Sequence, residues 1–538
     1  MNMTASSRIV LVLASLVLLL VTRAYGDQNC SLPDSSKQDC GFVGITQQQC
    51  QGKGCCWTPE EKRVAQDVPW CYYPAAGPSP PSPPSPPSPP LPPSGSPPFN
   101  DQEVAQMRAF FKANIDIQGS GGVVAAPDYN TGPGGSYYYH WARDGALSMH
   151  ALQITADSSD DYMAQMNHYV RWVVARHAEA DPHNMDVRVE PKYELPSGDV
   201  FAGSWCRPQN DGPGLRALTL MYFANTLIAK GNASLVSQLL WTGSSSAYQG
   251  GAIKFDLDWV AANWQSNTCD LWEEVQSQDF FWNHYTMRKA LFTGANFAAA
   301  MNDTASAATY LAAAQAINAT ITQHDNGQFV YESQNRPKDA AVICAFNNGL
   351  MNDGIFQPAS TPVANTISTL SSLFHDSYNL NQADDAAGVP GILYGRYEGD
   401  SYDNGNPWVL TTGCLAELLY RASAQVLTRG AVLAEEAVAW LGALQSTNRV
   451  QLEAQTAEEL QDPRVLGRAL AQSGDGVLLR IRYHTQSIGF HMPEQLDKNT
   501  GANLSAYDLT WSYATVLKAM KAREDAIAAY RAALFLDA

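Results

Sequence analysis

Two adjacent glutamates, Glu273 and Glu274, sit in the run Asp270-Leu-Trp-Glu-Glu-Val275, where a tryptophan precedes them. A carboxyl group beside a bulky aromatic and a like charge disfavours its ionised form, which is what a general acid needs. On helical geometry the two side chains point about 100° apart, so one would protonate while the other binds. The same residues also read as an acidic first turn of a helix capped by Asp270. A second run, Tyr137-Tyr-Tyr-His-Trp-Ala-Arg-Asp144, ends in a guanidinium and a carboxylate suited to vicinal hydroxyls, or to a buried ion pair among core aromatics. Three more segments mix an aromatic with charge: Gly203-Ser-Trp-Cys-Arg-Pro-Gln-Asn-Asp-Gly-Pro213, Gly395-Arg-Tyr-Glu-Gly-Asp400 with Asn404-Gly-Asn-Pro-Trp408, and Pro493-Glu-Gln-Leu-Asp497 with Leu509-Thr-Trp-Ser-Tyr513. Each alone is ordinary turn chemistry. Five of them together suit sugar chemistry: aromatic faces stack on pyranose rings, charged groups grip hydroxyls, and paired carboxyl groups split an acetal.

Other chemistries fail on motif. There is no His-Glu-x-x-His, Gly-x-Ser-x-Gly or Gly-x-x-x-x-Gly-Lys, and the 10 histidines show no ligand spacing, so neither a metal nor a cofactor is expected. A balance of 34 basic against 52 acidic residues, net −18, argues against nucleic acid or an anionic membrane as partner. A neutral substrate tolerates it.

The elements that must position these segments are helices. Apolar residues recur at helical spacing over 102–115, 142–154, 162–175, 214–229, 286–301, 305–324, 408–424, 431–444, 509–522 and 524–536, while strand-like alternation is scarce. About a dozen helices in one domain spanning 99–538 suggest paired helices around a ring, with the five segments in loops at one end.

Ahead of this domain the composition changes. Arg8 precedes the apolar run 9–21 and the small-residue pattern Ala24-Tyr-Gly26, so 1–26 reads as a secretory signal, cleaved before Asp27, with no membrane association after its removal. Six of the 10 cysteines fall between Cys30 and Cys71, the density of a small extracellular module stapled by disulfides. Spacing alone leaves their pairing open among fifteen possibilities. Residues 76–98 are nearly all proline and serine, an extended polyproline spacer.

The stretch 27–75, with Asp39-Cys-Gly-Phe-Val-Gly-Ile-Thr46, Cys50, Gly54-Cys-Cys-Trp57 and Pro69-Trp-Cys-Tyr-Tyr-Pro74, resembles the trefoil (P-type) domain. That resemblance implies pairing of Cys30 with Cys56, Cys40 with Cys55 and Cys50 with Cys71. From Gly119 to Tyr513 the chain resembles the glucoamylases of glycoside hydrolase family fifteen in the type, order and spacing of its five segments. The resemblance implies an all-α fold, an (α/α)6 barrel, preceded here by the trefoil domain. It further implies a secreted, monomeric glucan 1,4-α-glucosidase, extracellular or wall-associated, that takes starch, maltodextrins or related α-glucans and releases β-glucose from non-reducing ends with inversion.

Carried over by position, Glu273 is the general acid and Glu494 the general base. Arg143 and Asp144 grip the terminal glucose, Glu274 and Arg396 bind substrate, as do Arg207 and Asp211 in the matching Arg-Pro-Gln segment, and Tyr137, Trp141, Trp205, Trp408 and Trp511 line the pocket. An inverting pair stands about 6.5–9.5 Å apart, leaving room for a water. This sequence departs from the family at Pro493, where relatives have serine, and at Cys206, where they have glycine. Of the four cysteines outside the trefoil stretch, Cys206 and Cys269 are the favoured pair, because both flank pocket motifs. No starch-binding domain is expected after the last helix. The alternatives are an α-1,6 or short-maltodextrin glucosidase of similar fold and a silent glycan-binding or wall protein.

Overall fold

The computed structural model describes residues 30–33, 36–37, 40, 46–52, 55–58, 70–72 and 96–535, apart from 132–134, 244–249 and 451–454. The expected signal and most of the Pro/Ser spacer lie outside the described residues. The chain divides into two units, Met1–Leu91 and Pro92–Ala538.

In the small unit, helix α1 (Gln47–Gly52) precedes a two-stranded antiparallel pair, β1 (Cys56–Trp57) and β2 (Cys71–Tyr72). Its core is sulfur: Cys40, Cys50, Cys55 and Cys71 are buried together with Trp57 against them. Disulfides join Cys30 to Cys56, Cys40 to Cys55 and Cys50 to Cys71, at Cα separations of 5.6, 6.4 and 5.8 Å. The crosslinks replace the apolar burial that so short a segment cannot supply.

The large unit is helical. Its helices are α2 (Asp101–Ala113), α3 (Ala142–Thr155), α4 (Met163–His177), α5 (Asp211–Ala229), α6 (Ala252–Asn263), α7 (Phe281–Ala300), α8 (Thr304–Ile321), α9 (Ala341–Asn348), α10 (Thr361–Ser377), α11 (Asn379–Ala386), α12 (Val409–Arg429), α13 (Ala434–Thr447), α14 (Pro463–Thr485) and α15 (Thr510–Phe535). Helices α3, α5, α7, α9, α12 and α15 each pack on the next, and α15 returns to α3, closing an inner ring of six. Outer helices back this ring: α2 on α15, α6 on α5 and α7, α8 on α7, α14 on α12. The chain thus alternates outer and inner helices in an (α/α)6 barrel.

Burial separates the two layers. Every residue of α9 is buried, and α3 and α12 bury most of theirs, because an inner helix is packed around by protein. α14 is kept close to α12 by small residues: a Cβ on Gly467 would meet Leu427 at 2.6 Å, and one on Gly474 would meet the Tyr420 ring at 2.8 Å. The sequence reading passes over α14, although Leu466, Leu470, Val477 and Ile481 keep a helical spacing. The two segments expected at 509–522 and 524–536 are one helix, α15. Its charged middle is tied to α14 on one side, Arg523 Nε donating to Asp475 at 2.6 Å, and carries an exposed pair on another, Lys521 with Asp525 one turn on.

Three short antiparallel pairs cross the loops that precede inner helices. β3 (Tyr139–Trp141) pairs with β4 (Lys192–Glu194), β5 (Thr268–Cys269) with β6 (Gln276–Ser277), and β7 (Gln495–Leu496) with β8 (Asn503–Leu504). Among the described residues no helix is long and apolar enough to cross a membrane.

Candidate active site

The Asp270–Val275 run is not helical. It is the turn between β5 and β6, closed by Asp270 N–H donating to Val275 O at 2.9 Å and Glu273 N–H to Asp270 O at 3.0 Å. Asp270 is a cap all the same, of a turn rather than of a helix: its Oδ1 accepts from the backbone of Glu274 at 2.7 Å and Val275 at 2.9 Å, and Oδ2 from Arg336 Nη1 at 2.5 Å. The caged turn holds Glu273 at φ 66°, a left-handed conformation that costs a non-glycine residue about 1–3 kcal/mol. That cost is met by the bonds around it, and the result is a glutamate aimed into a cavity.

The cavity encloses about 240 Å³ and is bordered by all five segments. Tyr137, Trp141, Arg143, Asp144, Trp205, Glu273, Glu274, Arg396, Trp408, Glu494 and Trp511 line it, joined by Trp272, the aromatic ahead of the two glutamates, and by Tyr402, for which the sequence reading assigns no role. Every one stands in a loop before an inner helix or in that helix's first turn: α3, α5, α7, α12 and α15. Side chains at these ends converge because the ring closes. The helix N-termini add partial positive charge around a wall rich in carboxylates.

Glu273 receives three donors: Arg143 Nη2 at 2.9 Å and Gln209 Nε2 at 3.0 Å on Oε1, and Trp205 Nε1 at 2.8 Å on Oε2. Its neighbour looks elsewhere. Glu274 accepts from Arg396 Nη2 at 2.8 Å, Arg336 Nη2 at 2.9 Å and Tyr397 Oη at 2.5 Å. The two adjacent acids are therefore held by separate sets of partners. Glu494, with only 2% of its surface exposed, accepts from Tyr137 Oη at 2.7 Å on Oε1 and from Gln495 Nε2 at 3.1 Å on Oε2. Its backbone N–H donates to Ala506 O at 2.8 Å, and its carbonyl accepts from Val409 N–H at the start of α12, at 3.2 Å. Burial raises the Glu494 pKa above the usual glutamate value, and the donated bonds oppose it.

Arg143 is ringed by acids, with Asp211 Oδ2 3.4 Å from Nη1 and Asp144 Oδ2 3.4 Å from Nε. Burial alone would favour its neutral form, but the carboxylates override this and keep it charged. Asp144, buried beside it, is pushed up to about 7, by burial first and against the pull of Arg143. Apart from their ion pair with each other, Arg143 Nε and Asp144 Oδ2 have no hydrogen-bond partner among the described residues, and neither has Trp408 Nε1. A buried wall that leaves a donor and an acceptor side by side is prepared for a ligand's hydroxyls. Arg396 completes the opposite wall, bidentate to Asp400 at 2.9 and 2.6 Å, with its guanidinium 5.3 Å from the Trp408 ring centre and 4.8 Å from that of Tyr402.

Two residues expected to contact sugar do not border the cavity. Arg207 donates to Glu190 at 2.7 and 3.0 Å and to the carbonyls of Phe201 and Gly203, so its donors serve the loop before α5. Asp211, the first residue of α5, accepts from Trp282 Nε1 at 2.9 Å and faces Arg143, so it orients the guanidinium from behind. Conversely, Lys192 places its ammonium 3.5 Å from the Trp205 ring centre and 4.5 Å from that of Trp141, behind the cavity wall. Burial lowers its pKa to about 8. Nothing in its local sequence signals this, because the cage forms only when β3 and β4 pair. A disulfide joins Cys206 to Cys269 at a Cα separation of 6.0 Å, fastening the loop that bears Trp205 to the hairpin that bears Glu273.

The profile of the Trefoil (P-type) domain matches residues 30–74, and that of Glycosyl hydrolases family 15 matches residues 107–521. Among similar proteins, a glucoamylase of Blastobotrys adeninivorans is 33% identical over 451 residues, covering 80% of this chain and 71% of its own. Glucoamylase-1 of Schizophyllum commune is 33% identical over 442 residues, covering 78% and 72%. Among solved structures, the family 15 glucoamylase of Hypocrea jecorina superposes with a TM-score of 0.68 at 27% identity, covering 79% of this chain and 71% of that one. The barrel, the converging loops and a profile match across most of the chain agree: this chain belongs to glycosyl hydrolase family 15 and carries a trefoil domain ahead of its catalytic barrel.

Proposed function

We propose that the chain is a glucan 1,4-α-glucosidase that removes β-glucose from the non-reducing ends of starch-like α-glucans by inverting hydrolysis. The observation that carries this reading is a pair of glutamates, Glu273 and Glu494, on one small cavity with separate hydrogen-bond partners. Glu273 protonates the glycosidic oxygen as the bond to the anomeric carbon breaks. Glu494 takes a proton from a water that attacks the opposite ring face. Arg143 Nε and Asp144 Oδ2 offer the donor and acceptor for two neighbouring hydroxyls of the terminal sugar, and the tryptophans cover its apolar faces. A cavity of about 240 Å³ suits one ring, which favours attack at a chain end. The −18 charge and the disulfides suit a monomer working outside the cell on a neutral polymer.

Proton NMR of maltotriose or soluble starch during digestion tests the reading. β-Glucose should appear first, and Glu273→Gln should slow its release by about 10²–10⁴-fold. Initial α-glucose would reject inversion. Binding of maltodextrin without any glucose release would favour a silent glycan-binding protein.

A further inference from the structure

Away from the cavity, the loop after β6, the first turn of α7 and the end of the α8 segment meet at three side chains. Asp279 Oδ1 lies 3.0 Å from His324 Nε2 and 3.7 Å from His284 Nδ1, and the three groups offer ligand atoms all within 4.8 Å of one another. Both histidines are buried, at 1% and 4% exposure, while the Asp279 side chain is half exposed and leaves a path to solvent.

Hydrogen-bond accounting shows why this is more than an ion pair. His324 Nδ1 stands 2.9 Å from Tyr331 O, and a carbonyl can only accept, so Nδ1 carries the proton. In the neutral ring Nε2 then holds a lone pair, facing a carboxylate oxygen at hydrogen-bond distance. His284 brings a second ring: its Nδ1, buried and turned toward Asp279, has no hydrogen-bond partner among the described residues. A ring lone pair, a second ring nitrogen without a partner and a carboxylate oxygen, all within 4.8 Å of one another, suit a positive centre between them. With ligand distances of about 2.0–2.1 Å, the two separations from Asp279 correspond to angles of about 94° and about 129°, on either side of tetrahedral. The surroundings suit a metal centre: the His324 ring is fixed by backbone at its other nitrogen, and aromatic rings flank both histidines, Trp264 at 5.5 Å from His284 and Phe281 at 5.5 Å from His324.

We propose that Asp279, His284 and His324 bind a divalent transition cation of the zinc class, with water in the fourth position, and so tie the loop after the acid-bearing hairpin to the end of the α8 segment. Two imidazoles and one carboxylate select such an ion over calcium or magnesium, which prefer all-oxygen sites. The cation acts on the scaffold and takes no part in hydrolysis.

The test uses the full-length protein stripped with chelator, then titrated with Zn²⁺ and, separately, Co²⁺. A single Zn²⁺ should bind per chain and raise Tm by about 3 °C at hundredfold excess over Kd. Co²⁺ should give the intense visible absorption of a tetrahedral site. Asp279→Asn and His324→Gln should each lose the shift and the colour, with glucose release showing that the variants remain folded. Equal Zn²⁺ binding by wild type and both variants, or an octahedral Co²⁺ spectrum, would overturn the proposal. So would absence of binding.

Discussion

At the scale of single residues, the roles follow from which donors reach each carboxylate. Tyr137 donates to Glu494 and favours its ionised form against the burial that raises its pKa. Removing that hydroxyl in Tyr137→Phe raises the pKa further. A base must be ionised to act, so the acid limb of the kcat/KM profile should move to higher pH, with kcat falling up to about tenfold. Glu494→Gln should lower kcat by about 10²–10⁴-fold with little change in KM, since only the attack on the anomeric carbon loses its base. An unchanged acid limb in Tyr137→Phe would show that Glu494 does not set it. The assignment of the two glutamates rests on the family resemblance, since the run around Glu273 taken alone reads as well as a helix start and that around Glu494 as an ordinary turn. Their partners were legible only in part. Gln209 sits in a quoted segment, yet nothing about a glutamine there says that it reaches Glu273. Arg207 and Asp211 read as sugar ligands and turned out to have protein partners, because type and position do not reveal which way a guanidinium turns.

At the scale of elements, outer and inner helices differ in what their sequences disclose. α2 and α4 put apolar residues on one face and were read to within two residues of their ends. α9 is buried all round and has no polar face to set a period, so it escaped notice. α10 is rich in threonine and serine, and its start at Thr361 and Pro362 reads equally as a turn. The Glu273 hairpin was mistaken for a helix start because an aspartate can cap either, and only the left-handed φ at Glu273 tells them apart. The Cys206–Cys269 link spans a sequence separation of 63 and joins the two loops that meet at Glu273. Its replacement by Cys206→Ser with Cys269→Ser should cost about 2–4 kcal/mol of stability. KM should rise, because Trp205 is no longer anchored beside the acid. Melting curves and maltotriose kinetics measure both, and an unchanged KM would mean that the loop needs no fastening.

At the scale of the whole molecule, buried charges set a pH dependence that no single site dominates. Burial pushes Asp144 up to about 7, above an unfolded value of about 3.9. Its contribution is fully present below that unfolded value and is lost as pH rises through about 7. Buried His140, pushed down to about 3, and His177, also lowered, act with the opposite sign at acid pH, so the wild-type curve sums opposing slopes. The difference between Asp144→Asn and wild type isolates one of them. The variant should lose activity, while its Tm relative to wild type climbs by a few degrees between pH 5 and pH 8. A constant Tm difference would show that Asp144 is ionised throughout. Ring closure carries a consequence for synthesis. Thr510 Oγ1 donates to Val124 O at 2.6 Å across a sequence separation of 386, and α15 then seals the ring against α3. Glu494 and Trp511 are made well after Glu273, so a nascent chain carries the proposed acid long before it has the proposed base or the final wall. The most distant contacts are those that create the site, and catalysis therefore waits on the slowest topological step of folding.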